Sequence, residues 1–205
     1  MTSHAITIAS EAELVPANCF APLELGALFS RTAPLEIDLG CGEGSFLAAI
    51  AAANPTRNFI GIERQPGRVR SASRKLEQRG LENARALAFE ISDVVAELLP
   101  PASVTTFHLM FPDPWPKRRH ASRRVVSDSF LAGVTRALVP GGLLNIATDH
   151  SAYFNEIRCC ALGAPSLTEI APEVVPAALT RFEKIFTGLG AKIHRLSLRK
   201  TSPVT

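Results

Sequence analysis

Cysteine is scarce in this 205-residue chain: Cys19, Cys41, Cys159 and Cys160 are all there are. No two stand in a CxxC spacing, so neither a zinc ribbon nor a redox dithiol is expected, and no metal ligand set is proposed. So few thiols in a chain this long also exclude a disulfide framework. Reduced, mostly buried thiols are the expectation. No apolar run reaches the roughly 20 residues of a membrane span. Met1 to Glu13 lacks the basic stretch and apolar run of a secretory signal. A cytoplasmic protein with no membrane contact is expected. Internal repeats and low-complexity tracts are absent as well. Net charge is small, +3 with a pI near 8.8, so overall charge does not mark a nucleic-acid binder. What is present is an ordinary globular composition, 46% hydrophobic and 20% charged, in a chain long enough to bury one full core.

From Leu35 onward, strand-like runs alternate with helical patterns. Strands are expected at Leu35–Leu39, Asn58–Ile62, Ala84–Phe89, Val104–Phe111, Leu143–Thr148 and Lys192–Leu198, with a further short one near Leu167. Helices are expected at Ser45–Ala53, Pro66–Arg79, Asp93–Leu99, Asp128–Leu138, Ser151–Leu162 and Ala177–Leu189. Asn54-Pro55 stops the first helix, and Pro66 suits the first turn of the second. Residues 1–33 read as a weakly patterned lead-in and 34–205 as the domain. Such alternation predicts an α/β fold, a Rossmann-like, mostly parallel sheet of seven strands with helices on both faces. Ligands of these sheets bind beyond the carboxyl ends of the strands. The chemistry should therefore lie just after Leu39, Ile62, Phe89, Phe111 and Thr148.

The first of those points carries Gly40-Cys41-Gly42-Glu43-Gly44, a GxGxG loop opening a helix. Glycines there let the backbone approach a ligand without a Cβ clash. A dinucleotide fingerprint, GxGxxG, would need its third small residue at Ser45, so the spacing leans away from NAD and towards the methyltransferase version of the fold. Glu63 ends the second strand, where a carboxylate can accept hydrogen bonds from both hydroxyls of a ribose. Glu90 and Asp93 follow the third strand, where an adenine would lie, and either could approach its exocyclic amine.

The fourth strand ends in Phe111-Pro112-Asp113-Pro114-Trp115-Pro116-Lys117-Arg118-Arg119-His120. Prolines at alternate positions stiffen the backbone by fixing φ. Stiffness suits a site that must hold one carboxylate, Asp113, and one aromatic, Trp115, in place. A carboxylate can bind the N1–H and N2 amine of guanine. Trp115 either stacks on a base or, as the leading alternative, packs under the loop. Lys117, Arg118, Arg119, Arg123 and Arg124 place five positive charges in eight residues with no acid among them. Beside a reaction centre, that fits a phosphate backbone. Asp149 ends the fifth strand, across the mouth of the sheet from Asp113.

These blocks together resemble the bacterial tRNA (guanine-N7)-methyltransferases, class I enzymes that use S-adenosylmethionine. The resemblance runs from about Leu35 to the C-terminus. Its most specific part is FPDPWPKRRH with Arg123-Arg124, supported by LEIDLGCGEGSFL, NFIGIE, VPGG…NIATD and Thr180-Arg181-Phe182-Glu183. It implies transfer of methyl from S-adenosylmethionine to a guanine N7 in the tRNA variable loop, by a monomer or homodimer without an obligatory protein partner. By motif position it implies Glu36, Gly40, Gly42, Gly44, Glu63, Glu90 and Asp113 at the cofactor, with Asp113 also catalytic. Lys117, Asp149, Thr180, Arg181, Phe182 and Glu183 fall at the substrate, and Lys117, Arg118, Arg119, Arg123 and Arg124 on RNA. The chain departs from the family pattern at Asp38, where glycine is usual, and at Glu90, where Asp is usual. A class I methyltransferase for a small molecule or a protein would leave the basic loop without a purpose, and one acting on another RNA is the alternative reading. An RNA-binding protein without catalysis would leave the glycine loop and Glu63 without one. A dehydrogenase is disfavoured by the GxGxG spacing.

Overall fold

The computed structural model describes residues 7–10, 12–16, 21–172, 188 and 190–201. Nine strands among these residues form one sheet: β1 (Thr7–Ser10), β2 (Glu13–Val15), β3 (Leu35–Leu39), β4 (Asn58–Glu63), β5 (Ala84–Ala88), β6 (Val104–Met110), β7 (Leu138–Thr148), β8 (Leu167–Ile170) and β9 (His194–Lys200). Their spatial order is β1-β2-β5-β4-β3-β6-β7-β9-β8. All neighbours from β2 across to β7 are parallel, whereas β1, β9 and β8 join antiparallel. The seven strands from β5 across to β8 are the mostly parallel sheet that strand-helix alternation predicts.

Among the described residues it is accompanied by α1 (Ser45–Ala53), α2 (Pro66–Gln78), α3 (Ile91–Asp93, running into a π turn at Val94–Leu98), α4 (Asp128–Ala137) and α5 (Ser151–Leu162). Side chains alternate along a strand, and β3 divides accordingly. Leu35, Ile37 and Leu39 enter the larger apolar cluster with Val94, Val95, Leu98, Phe130, Leu131, Tyr153 and Ile157, under the π turn, α4 and α5. Glu36 and Asp38 face the other side, where Phe46, Leu47 and Ile50 of α1 and Leu76 of α2 pack on Phe59. Local chemistry sets the helix ends. Ser127 accepts from the Phe130 N–H at 3.2 Å at the head of α4, and His150 Nδ1 from the Tyr153 N–H at 3.1 Å at the head of α5.

Three segments differ from expectation. Two strands precede the predicted alternation: β2 pairs in parallel with β5, and Leu14, Leu23 and Leu28 are buried in the core. Runs of three and four residues carry too little period to register in the sequence. β7 begins at Leu138 rather than Leu143, because Leu138 already pairs with Val104 across a register shift. The last strand lies two residues later than predicted, at His194–Lys200. The predicted helix at 177–189 falls outside the described residues apart from Gly188. Strands β3, β4, β5, β6 and β7 all point their carboxyl ends to one edge, and the site forms there.

Candidate active site

Beyond β3 the chain enters the glycine loop with φ of +81° at Gly40, +54° at Gly42 and +72° at Gly44. At Gly44 a second constraint acts: a Cβ there would lie 2.7 Å from the Ala72 Cβ of α2. Only glycine lets α1 start against α2. At Gly42 a Cβ would meet nothing within 4 Å, so this backbone borders open space. The loop is tied down elsewhere. Gly40 and Cys41 N–H groups donate to the Ile62 carbonyl at 2.8 and 2.9 Å. Lys75 Nζ of α2 donates to the Glu43 carbonyl at 2.6 Å and to Ser45 Oγ at 2.8 Å. A fixed backbone beside an open space is what a ligand-binding loop requires.

The carboxylates beneath this loop have unequal surroundings. Asp38 is 3% exposed, and its Oδ2 has no hydrogen-bond partner among the described residues. Burial first, and the Glu63 charge second, push its carboxyl up to about 7. Glu63, at the tip of β4, accepts the Gln65 N–H on Oε1 at 2.9 Å, and its Oε2 lies 4.0 Å from Arg68. Glu36 is fully engaged inside the fold: Oε1 accepts from Arg57 at 2.7 Å and Oε2 lies 2.7 Å from His108 Nε2. Burial pushes the Glu36 carboxyl up, but His108 and Arg57 outweigh it and hold the group below its ordinary value. Glu36, expected at the cofactor, thus has a protein partner on each of its oxygens. Glu36 and Asp38 share a face of β3 about 7 Å apart, and Asp38 is the one nearer the loop.

At the third strand, Glu90 is exposed at the head of α3, with Oε1 3.7 Å from Arg64. Asp93 is exposed as well, 3.4 Å from the Ser92 hydroxyl. Ile91 is the residue that sequence reading passed over. Its Cδ1 lies 3.7 Å from the Cβ position at Gly40, so it forms an apolar wall against the glycine loop. An apolar residue directly after an acidic strand end was the available signal.

The rigid loop follows β6. Phe111 and Trp115 hold φ of +55° and +41°, conformations costly for residues with a Cβ. The Phe111 N–H donates to the Ala147 carbonyl at 2.7 Å, and Arg124 holds the Trp115 end in place. Its Nε donates to the Pro114 carbonyl at 2.8 Å and one terminal nitrogen to the Trp115 carbonyl at 3.1 Å. The other pairs with Glu156 of α5, and the guanidinium lies over the Tyr153 ring. Arg124, expected on RNA, is 14% exposed and has a protein partner on each guanidinium nitrogen, so it acts as an inward clamp on the loop. Trp115 packs within the loop, edge-on to His120 at 5.7 Å and under Arg123 at 5.0 Å. Lys117, Arg119 and Arg123 remain exposed, as does Asp113. The Arg118 side chain and all of Thr180, Arg181, Phe182 and Glu183 lie outside what is described. Asp149 is exposed at the end of β7, and Met110 of β6 stands opposite Ala147 of β7, so Asp113 and Asp149 leave adjacent strand ends.

This strand order, a glycine loop after β3 and an acid at the tip of β4 define the class I S-adenosylmethionine-dependent methyltransferase fold. A solved S-adenosylmethionine-dependent methyltransferase from Aquifex aeolicus shares it at a TM-score of 0.59 and 16% identity, over 82% of each chain. Residues 32–198 match the family model described as "Putative methyltransferase". The tRNA (guanine-N(7)-)-methyltransferase of Sodalis glossinidius is 34% identical over 88% of this chain and 78% of the relative. That of Halorhodospira halophila is 37% identical over 86% and 79%. The chain belongs to the tRNA (guanine-N7)-methyltransferase family, S-adenosylmethionine-dependent enzymes.

Proposed function

We propose that the protein methylates N7 of a guanine in the variable loop of tRNA. The observation that carries this reading is the clamped Asp113–Trp115 loop, which joins an acid to exposed cations at the same sheet edge as the glycine loop. A small-molecule methyltransferase would not need Lys117, Arg119 and Arg123 on that rim.

The residues present fit S-adenosylmethionine. Open backbone at Gly42 and the unpartnered Asp38 oxygen leave a loop and a buried acceptor for its methionine end, which carries an ammonium. Glu63 would accept its ribose hydroxyls, Ile91 would pack on its adenine, and Glu90 or Asp93 would approach the adenine amine. When bound, S-adenosylmethionine supplies a methyl group on a sulfonium sulfur.

Guanine N7 carries a free lone pair, so no proton has to leave that atom before attack. The chain's contribution is positioning. Asp113 accepts hydrogen bonds from N1–H and the N2 amine and so fixes where N7 points. Methylation leaves the purine cationic, and the charges of Asp113 and Asp149 offset it. Lys117, Arg119 and Arg123 hold flanking phosphates, with Thr180 to Glu183 at the base.

The test is transfer of labelled methyl from S-adenosylmethionine to unmodified tRNA, with the product nucleoside identified and its position mapped. 7-Methylguanosine in the variable loop is expected. Asp113→Ala should lower kcat on the order of 10²-fold. Retention of wild-type kcat would remove Asp113 from its role, and a different methylated nucleoside would overturn the guanine-N7 reading.

A further inference from the structure

Positive charge is concentrated in two segments of this chain. Lys117 to Arg124 holds five cations and no acid, and the function proposed above uses it. Arg64 to Arg79 holds six cations and one acid, Glu77, and apart from Lys75, which ties down the glycine loop, these cations have no role in that account. The two segments are thus +5 each, so with a total of +3 the remainder of the chain carries −7. Both segments leave the same edge of the sheet, one after β4 and one after β6, with only β3 between those strands.

The second segment is helix α2 with its flanks. Val69, Ala72, Ser73 and Leu76 are its buried side, and Arg68, Arg70, Arg74 and Arg79 are exposed. Arg70 and Arg74 stand one turn apart, and the Arg74 Nε donates to the Arg70 carbonyl. Like charges at this spacing destabilise a helix. The first turn holds no acid, although that is where the helix dipole favours one. Arg70 and Arg74 therefore oppose the helix's own stability. Counter-charge within the chain is slight: Arg64 lies 3.7 Å from Glu90 and Arg68 4.0 Å from Glu63, and no ion pair to Arg70, Arg74 or Arg79 is found among the described residues. Such a face is stabilised by a polyanion from outside.

We infer that the exposed face of α2 is a second backbone-binding surface for the tRNA substrate, engaging phosphates on the far side of the active-site mouth from the 117–124 loop. It rests on tRNA being the substrate. The site edge lies between two cationic flanks, so a duplex arm placed across it meets both. Phosphate contacts of this kind fix register without reading sequence.

The test is equilibrium tRNA binding as a function of salt, with methyl transfer measured alongside, for wild type and Arg70→Gln/Arg74→Gln. Glutamine keeps the helix propensity, and a thermal melt no lower than wild type confirms that α2 is intact. The slope of log Kd against log salt should fall by about 1.5, and Kd should rise at least about tenfold at 0.1 M salt. In turnover, KM for tRNA should rise with kcat retained, and KM for S-adenosylmethionine should not move. An unchanged slope, with 7-methylguanosine made normally, overturns the surface and leaves the function standing. A reduced slope with no 7-methylguanosine from wild type keeps the surface and overturns the function. An unchanged slope together with no product overturns both.

Discussion

Asp38 offers the most demanding test of the cofactor site. Its carboxyl is buried with one oxygen unpartnered, and it titrates at about 7 in the ligand-free protein. A cationic methionine end is held by the ionised carboxylate only. At pH 6 about one molecule in eleven carries that form, and at pH 7.5 about three in four do. The apparent Kd for S-adenosylmethionine should therefore tighten about eightfold between pH 6 and 7.5. Binding near pH 7 should release about half a proton, which calorimetry reads as a dependence of the heat on buffer ionisation. Asp38→Asn cannot ionise, so its affinity should be weak and flat across the same range. The same shift sets the stability of the ligand-free protein. A carboxyl titrating at about 7 when folded and near 4 when unfolded makes the native state hold the extra proton between those values. Stability should thus fall as pH rises through that window, by roughly 4 kcal/mol from this group, and Asp38→Asn should remove the fall. A wild-type Kd that does not change between pH 6 and 7.5 would refute the assignment of Asp38 to the cofactor.

Three further outcomes separate structural from functional roles. Gly44→Ala should cost about 3 kcal/mol in a denaturant titration, from the +72° φ and the 2.7 Å approach to Ala72, whereas Gly42→Ala should cost about 1 kcal/mol and instead weaken cofactor binding. An unchanged Kd for S-adenosylmethionine in Gly42→Ala would show that the open space at Gly42 has no part in cofactor binding. Glu36→Ala should cost about 3–5 kcal/mol, because it strands the buried His108 and frees Arg57, while Kd for S-adenosylmethionine in the folded fraction stays near wild type. A large change in that Kd at intact stability would place Glu36 at the cofactor. Arg124→Ala should lower kcat by loosening the Asp113 loop, whereas Arg119→Ala should raise KM for tRNA and reduce its salt dependence without lowering kcat. A pure KM effect of Arg124→Ala, measured in turnover assays, would contradict its clamp role.

The alternation of strands and helices from Leu35 to Leu162 was legible from sequence because period and turn chemistry are local. So were the GxGxG turn and the stiffened loop after β6, since glycine and proline act on their own φ. Tertiary structure alone decided which charged groups are free. Glu36 and Asp38 are alike as carboxylates on one face of a strand, yet Arg57 from the turn before β4 and His108 from β6 engage the first, while one oxygen of the second has no partner among the described residues. Arg123 and Arg124 are adjacent in a charge run, but only Arg124 meets Glu156 and Tyr153 of α5. The first two strands were equally illegible, because β2 exists through its pairing with β5, some 70 residues away along the chain. Each of these depends on partners remote in sequence. A hydrogen bond or ion pair belongs to two positions, and one position's residue type cannot state where the other will be.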